Sequence, residues 1–126
     1  MSATASLGYT SRFKIGWIIL LVAAALMTLN HSVLIFALDD PVLFMGYAAF
    51  NLYALIVIAI PFRRCETWAW YATWILPVGL AASAALAGDP NIAPFYYGVA
   101  AACVLGLLLT MRDFFAVDRQ VAPRVA

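Results

Sequence analysis

The sequence predicts an all-α membrane protein: an antiparallel up-down bundle of four transmembrane helices with its N and C termini in the cytoplasm. Three observations predict it. Of 126 residues, 67% are hydrophobic and 10% charged, whereas a soluble domain carries roughly 25% charged residues. The apolar residues gather into four long runs, at about residues 15–38, 42–62, 68–88 and 95–111. The seven basic residues are Arg12, Lys14, Arg63, Arg64, Arg112, Arg119 and Arg124. They fall only before the first run, between the second and third, and after the fourth.

Each run is long enough to cross a hydrocarbon core of about 30 Å at a rise of about 1.5 Å per residue. The segregated basic residues orient the bundle, with the inner (cytoplasmic) membrane as the expected address. The length allows one domain, with residues 1–14 and 116–126 expected as loose cytoplasmic tails. A net charge of +1 gives no reason to expect a nucleic-acid partner.

The first span follows Arg12 and Lys14. It outruns the 7–15 apolar residues of a signal segment, so an uncleaved helix is expected. Asp39, Asp40 and Pro41 end it. Pro61 closes the second span ahead of a charged turn. In the third span Pro77 removes a helix hydrogen bond and crowds the Thr73 carbonyl. A kink is expected there, with the Thr73 hydroxyl compensating and a cavity opening beside Trp74 and Tyr71. Gly88, Asp89, Pro90 and Asn91 break that helix, and Pro94 suits the first turn of the fourth. Phe114 and Phe115 can extend the fourth helix by a turn. Trp17, Trp68, Trp70, Tyr71 and Trp74 mark the cytoplasmic interface, and Phe95, Tyr96 and Tyr97 the outer one.

Helices in lipid associate through close backbone packing more than through hydrophobicity. Small residues recur every fourth position as Gly98, Ala102, Gly106 and Thr110, as Gly79, Ser83 and Ala87, and as Ala24, Thr28 and Ser32. Such spacing lines one helix face, and the stripe of the fourth span is expected to meet the third.

Polar groups at membrane depth are costly and each is a candidate site. Asn30 and His31 lie in the outer half of the first span, with His31 about 6–7 Å beyond its centre. Asn51 lies within about 2 Å of the centre of the second span, and Tyr47 is one turn outward of it. These residues, with Trp74, form the candidate ligand-binding set. Two readings stay open. The cluster locks two helices together, or it lines a pocket open to the outer side in which His31 can change protonation near neutral pH.

Several chemistries are weakened. The chain has one histidine, so it cannot supply both axial ligands of a bis-histidine haem. No span offers enough nitrogen, sulfur or carboxylate ligands for zinc or copper. No cofactor and no metal are expected. Cys65 and Cys103 differ too much in depth for a disulfide. Nucleophile–base pairs are not legible.

The turn after Phe62 reads Arg63, Arg64, Cys65, Glu66, Thr67, Trp68, Ala69, Trp70. It resembles an Arg-Arg-x-Glu-x-Trp-Ala-Trp pattern at the second-to-third-helix turn of small bacterial four-helix membrane proteins, some of them grouped loosely as DoxX-like. The resemblance covers about nine residues and the general topology, and implies a fold and an inner-membrane address rather than an activity. Where that pattern usually has a small residue, often glycine, this chain has Cys65. Physically the turn suits an anchor: Arg63 and Arg64 reach lipid phosphates, Glu66 pairs with them, and Trp68 and Trp70 sit at headgroup depth. Small multidrug transporters share the size but rely on an acid in the first span, which is missing here. Sterol-isomerase-like bundles need intramembrane acids beside histidine, also missing.

The expected function is therefore a non-catalytic accessory or packing subunit, or a bundle that binds a lipid-like apolar ligand. Its partners would be membrane lipids, a second copy, or a larger membrane complex. The alternative is a carrier for a small neutral or weakly basic solute using Asn30, His31 and Asn51. Least favoured is an enzyme on a lipid-soluble substrate with His31 as acid and base.

Overall fold

A computed structural model describes residues 9–121, with side chains to Ala116. Of the tails expected at residues 1–14 and 116–126, residues 1–8 and 122–126 lie outside the described residues, and residues 116–121 continue the last helix. Every regular element among the described residues is helical. They are α1 (Ser11–Ala37), α2 (Pro41–Val57), a π-helical continuation (Ile58–Phe62), α3 (Thr67–Thr73), α4 (Ile75–Ala87) and α5 (Ala93–Val121). Four stretches are long and apolar enough to cross a membrane: Ser11–Ala37, Pro41–Phe62, Thr67–Ala87 and Ala93–Ala116.

Local chemistry sets the boundaries. Thr10 caps α1 by accepting from the Phe13 amide at 3.1 Å, so the helix starts ahead of residue 15. Residues 9–14, expected in a loose tail, thus open α1, with Phe13 buried and Tyr9 partly so. The Thr10 hydroxyl donates to Asp113 at 2.9 Å, the Tyr9 hydroxyl donates to the Arg63 carbonyl at 2.7 Å, and the Tyr9 ring stacks on Phe13. Asp40 caps α2 by accepting from the Leu43 amide at 3.1 Å, with Pro41 in the first turn. Gly88 ends α4 at a φ of +62°, a left-handed conformation in which glycine carries no Cβ penalty.

The kink falls at Trp74, three positions ahead of Pro77, and separates α3 from α4. Thr73 sends its hydroxyl to the Ala69 carbonyl at 2.7 Å, one turn back, away from the proline. Pro61 lies within the π-helical segment, and the Trp17 indole donates to the Ile58 carbonyl there at 2.9 Å.

The bundle is apolar outside as well as inside. Phe36 is 90% and Leu86 88% exposed, while Phe13, Phe62, Phe114, Met27 and Leu107 are buried. Helix α1 is central. It packs along α2 on one side and α5 on the other, and α4 packs along α5. The pairs Trp17 with Ile58 and His31 with Asn51 run α1 and α2 in opposite senses. Phe13 with Phe114 and His31 with Tyr96 do the same for α1 and α5.

Two packing expectations change. Gly106 does not face the third span. A Cβ there would lie 2.9 Å from the Gly16 carbonyl oxygen of α1, and a Cβ on Gly16 would lie 2.6 Å from the Gly106 carbonyl oxygen. These two glycines let α1 and α5 touch backbone to backbone. Ala102 is half-buried on the same side, and Gly98 has open space around it. The third span binds α5 elsewhere, where the buried Trp70 donates its indole N–H to the Leu107 carbonyl at 3.1 Å. Trp70 is therefore a packing residue and not a headgroup anchor, whereas Trp68 is exposed. The second change is that α2 and α4 scarcely touch, although a short turn joins their spans. Gly79 of α4 meets the Phe50 ring, which a Cβ would approach to 3.2 Å. Elsewhere the two helices leave a cleft.

The charged turn also differs from expectation. Glu66 accepts from the Trp68 indole at 2.7 Å instead of pairing with Arg63 or Arg64. Arg63 lies over the Trp17 ring at 5.5 Å. Cys65 takes a φ of +56°, a region costly for residues with a Cβ, which gives a physical reason for glycine at this position in the pattern it resembles. Cys65→Gly is expected to hold stability within about 1 kcal/mol, while the β-branched Cys65→Val loses about 1–3 kcal/mol. Unfolding in detergent measures both, and equal effects would remove the conformational explanation. Burial raises the Cys65 thiol pKa, and the Asp113 carboxylate raises it further. A raised pKa leaves less thiolate at a given pH. Alkylation of Cys65 in a Cys103→Ala background should therefore titrate above the ordinary thiol range, with Asp113→Asn moving the midpoint down. A midpoint at or below the ordinary value would contradict this.

Candidate ligand-binding site

The cleft between α2 and α4 has a volume of about 360 Å³, within the range of small-molecule pockets. Leu43, Gly46, Phe50, Gly79 and Leu80 make its apolar walls, and His31, Tyr47, Asn51, Ser83 and Tyr96 bring polar atoms to it. Gly46 and Gly79 both line it; a Cβ on Gly46 would meet nothing within 4 Å, whereas one on Gly79 would press on the Phe50 ring.

The polar centre forms because α1 carries a ring that cannot satisfy itself. Thr28 and Ser32 return their hydroxyls to the Ala24 and Thr28 carbonyls at 2.8 and 2.7 Å. His31 is 1% exposed. Its Nδ1 lies 3.0 Å from the Met27 carbonyl and 3.0 Å from Asn51 Nδ2, and its Nε2 lies 2.8 Å from the Tyr96 hydroxyl. Phe44, Tyr47 and Tyr96 surround the ring. Asn51 is also 1% exposed.

Donor and acceptor roles follow from these contacts. Asn51 Nδ2 donates to the Tyr47 carbonyl at 2.7 Å. Reversing the amide would set oxygen against oxygen, so the carbonyl fixes its orientation. Oδ1 of Asn51 is then buried without a partner among the described residues. A neutral imidazole has one N–H, which gives the ring two arrangements. With the proton on Nδ1, it donates to Met27 and Nε2 accepts from Tyr96. With the proton on Nε2, it donates to the Tyr96 oxygen and Nδ1 accepts from Asn51. In that second arrangement the Tyr96 O–H is free to donate elsewhere.

Of the residues expected at the site, His31, Tyr47 and Asn51 come together, though Tyr47 contributes its backbone carbonyl as well as its ring. Asn30 is half-buried and does not line the cleft. Trp74 does not line it either: its ring packs 5.7 Å from Trp70, and its buried Nε1 has no partner among the described residues. Ser83, expected as a packing residue, lines the cleft. Tyr96, read from the sequence as an interface aromatic, is the second partner of His31. An aromatic with a hydroxyl in the first turn of the fourth span, facing a histidine near the end of the first, was the signal for it.

No protein-family model, no curated protein and no solved structure matches this chain.

Proposed function

We propose that this chain is a four-span integral protein of the inner membrane, with both ends on the cytoplasmic side, and that it binds a small, largely apolar, lipid-like ligand in the cleft between α2 and α4. The observation that carries the reading is the unpartnered Oδ1 of Asn51, 1% exposed, in a residue that lines the cleft. An orphaned buried acceptor costs about 1–3 kcal/mol, which a ligand donor would relieve. The network has no carboxylate, so it is read as a binding group and not as an acid–base pair.

Orientation is proposed from charge. Tyr9, Arg63 and Asp113 share one end of the bundle, and Arg12, Lys14, Arg64 and Arg112 stand near it in sequence. The exposed Arg63, Arg64 and Trp68 suit lipid headgroups there. The cleft then opens in the outer half. Kinship with DoxX-like proteins is proposed on the Arg63-to-Trp70 turn alone.

A second reading, an accessory subunit packing against a copy of itself or a larger complex, draws on an apolar groove of about 510 Å³ between α1 and α5, lined by Ile18, Val22, Leu26, Gly98 and Ala102 among others. Mass spectrometry of the chain purified in mild detergent separates the two. A retained small lipid-like molecule, lost in Asn51→Leu, supports the cleft; a retained protein partner and an empty cleft support the groove.

A further inference from the structure

We infer that the ligand bound in the α2–α4 cleft carries a neutral hydroxyl as its polar head, which donates to Asn51 Oδ1 and accepts from the Tyr96 hydroxyl. This rests on the proposed reading of the cleft as a ligand site and names the chemistry of its occupant.

The polar atoms select the head. Asn51 Oδ1 is an acceptor held in place by the Tyr47 carbonyl, so it requires a donor. Ketones, quinones, ethers and esters bring only acceptors and would leave it orphaned. Among the described residues no Lys or Arg lines the cleft, so a carboxylate or phosphate would lose its hydration without an opposite charge. No Asp or Glu lines it either, which removes the counter-charge for an ammonium head. A hydroxyl both donates and accepts. Its acceptor role matches the arrangement in which His31 Nε2 donates to Tyr96 and frees the Tyr96 O–H. In the same arrangement Asn51 Nδ2 donates to His31 Nδ1, so one hydroxyl completes the bonding of Asn51 and Tyr96 together. The apolar walls at Leu43, Phe50 and Leu80 take the hydrocarbon part.

The test uses the full chain in lipid nanodiscs, with 1-decanol, decyl methyl ether and decanoic acid as probes. Binding is read by saturation-transfer NMR, corrected for the amount of each probe dissolved in the bilayer. Decanol should bind about tenfold or more tightly than the ether and the acid, the factor expected for one satisfied buried acceptor. In Asn51→Leu the preference for decanol over the ether should fall to about one, while the acid stays excluded for want of an opposite charge. Equal binding of decanol and the ether to the unaltered chain would overturn the hydroxyl assignment and leave the cleft as an apolar site whose Oδ1 is met by water. Failure of all three probes to bind would overturn the cleft reading itself. The comparison on the unaltered chain does not depend on the variant folding. Because the chain has one histidine, its imidazole nitrogens give unique signals. With decanol bound they should report Nε2–H, and Nδ1–H would overturn the role of Tyr96.

Discussion

Replacing Gly16 with leucine is expected to separate α1 from α5 and cost about 3 kcal/mol or more, the upper end of overpacking penalties. Even the first added carbon would lie 2.6 Å from the Gly106 carbonyl oxygen and 2.8 Å from the Thr110 methyl. Backbone cannot swing aside as a flexible side chain can. Gly106→Leu meets the Gly16 carbonyl and the Leu20 side chain and should fall in the same range. Gly98→Leu, on the same sequence stripe but with nothing within 4 Å, should change stability by less than about 0.5 kcal/mol. Reversible unfolding in bicelles or detergent measures all three. Equal costs at Gly98 and Gly106 would mean that the α1–α5 crossing is not where the backbones touch.

The second large effect is expected at Asn51. Asn51→Leu removes a buried amide whose oxygen has no partner, along with the contacts to Tyr47 and His31. Hydrogen bonds between membrane helices average only about 0.6 kcal/mol. Losing the orphaned oxygen offsets part of that, so stability should change by less than about 1 kcal/mol. Ligand retention should instead fall by about tenfold or more. His31→Ala should behave differently. It opens a cavity under Phe44, Tyr47 and Tyr96 and should lose about 2–4 kcal/mol. If Asn51→Leu proves as destabilising as His31→Ala and spares binding, the network only locks helices.

These residues also mark how far the sequence can be read. The helical class and the four apolar stretches follow from hydropathy and proline placement, because backbone in a long apolar run must satisfy itself. His31, Tyr47 and Asn51 stand out because polar groups are rare at that depth. Partner choice between helices was less legible. Gly106 belongs to a visible stripe, but Gly16 is a lone glycine between lysine, isoleucine and tryptophan, and only the two together reveal the α1–α5 crossing. An up-down bundle places consecutive spans side by side, α2 and the third span among them. Trp70, bonded to Leu107, and the break at Trp74 set α4 against α5 instead, while α3 stays beside the second span. A tryptophan at a span end reads as an interfacial anchor whether it faces lipid or protein. Tyr96, likewise an aromatic at a span end, turns its hydroxyl inward to His31.

Photocrosslinking tests the cleft most directly. A diazirine-bearing decanol is photolysed with the protein in nanodiscs, and the labelled residues are mapped by mass spectrometry. Labelling should concentrate on Leu43, Gly46, Phe50 and Leu80 and be outcompeted by unlabelled decanol. Labelling centred on Ile18, Val22 and Gly98, or spread over exposed residues such as Phe36 and Leu86 without competition, would contradict a ligand site between α2 and α4.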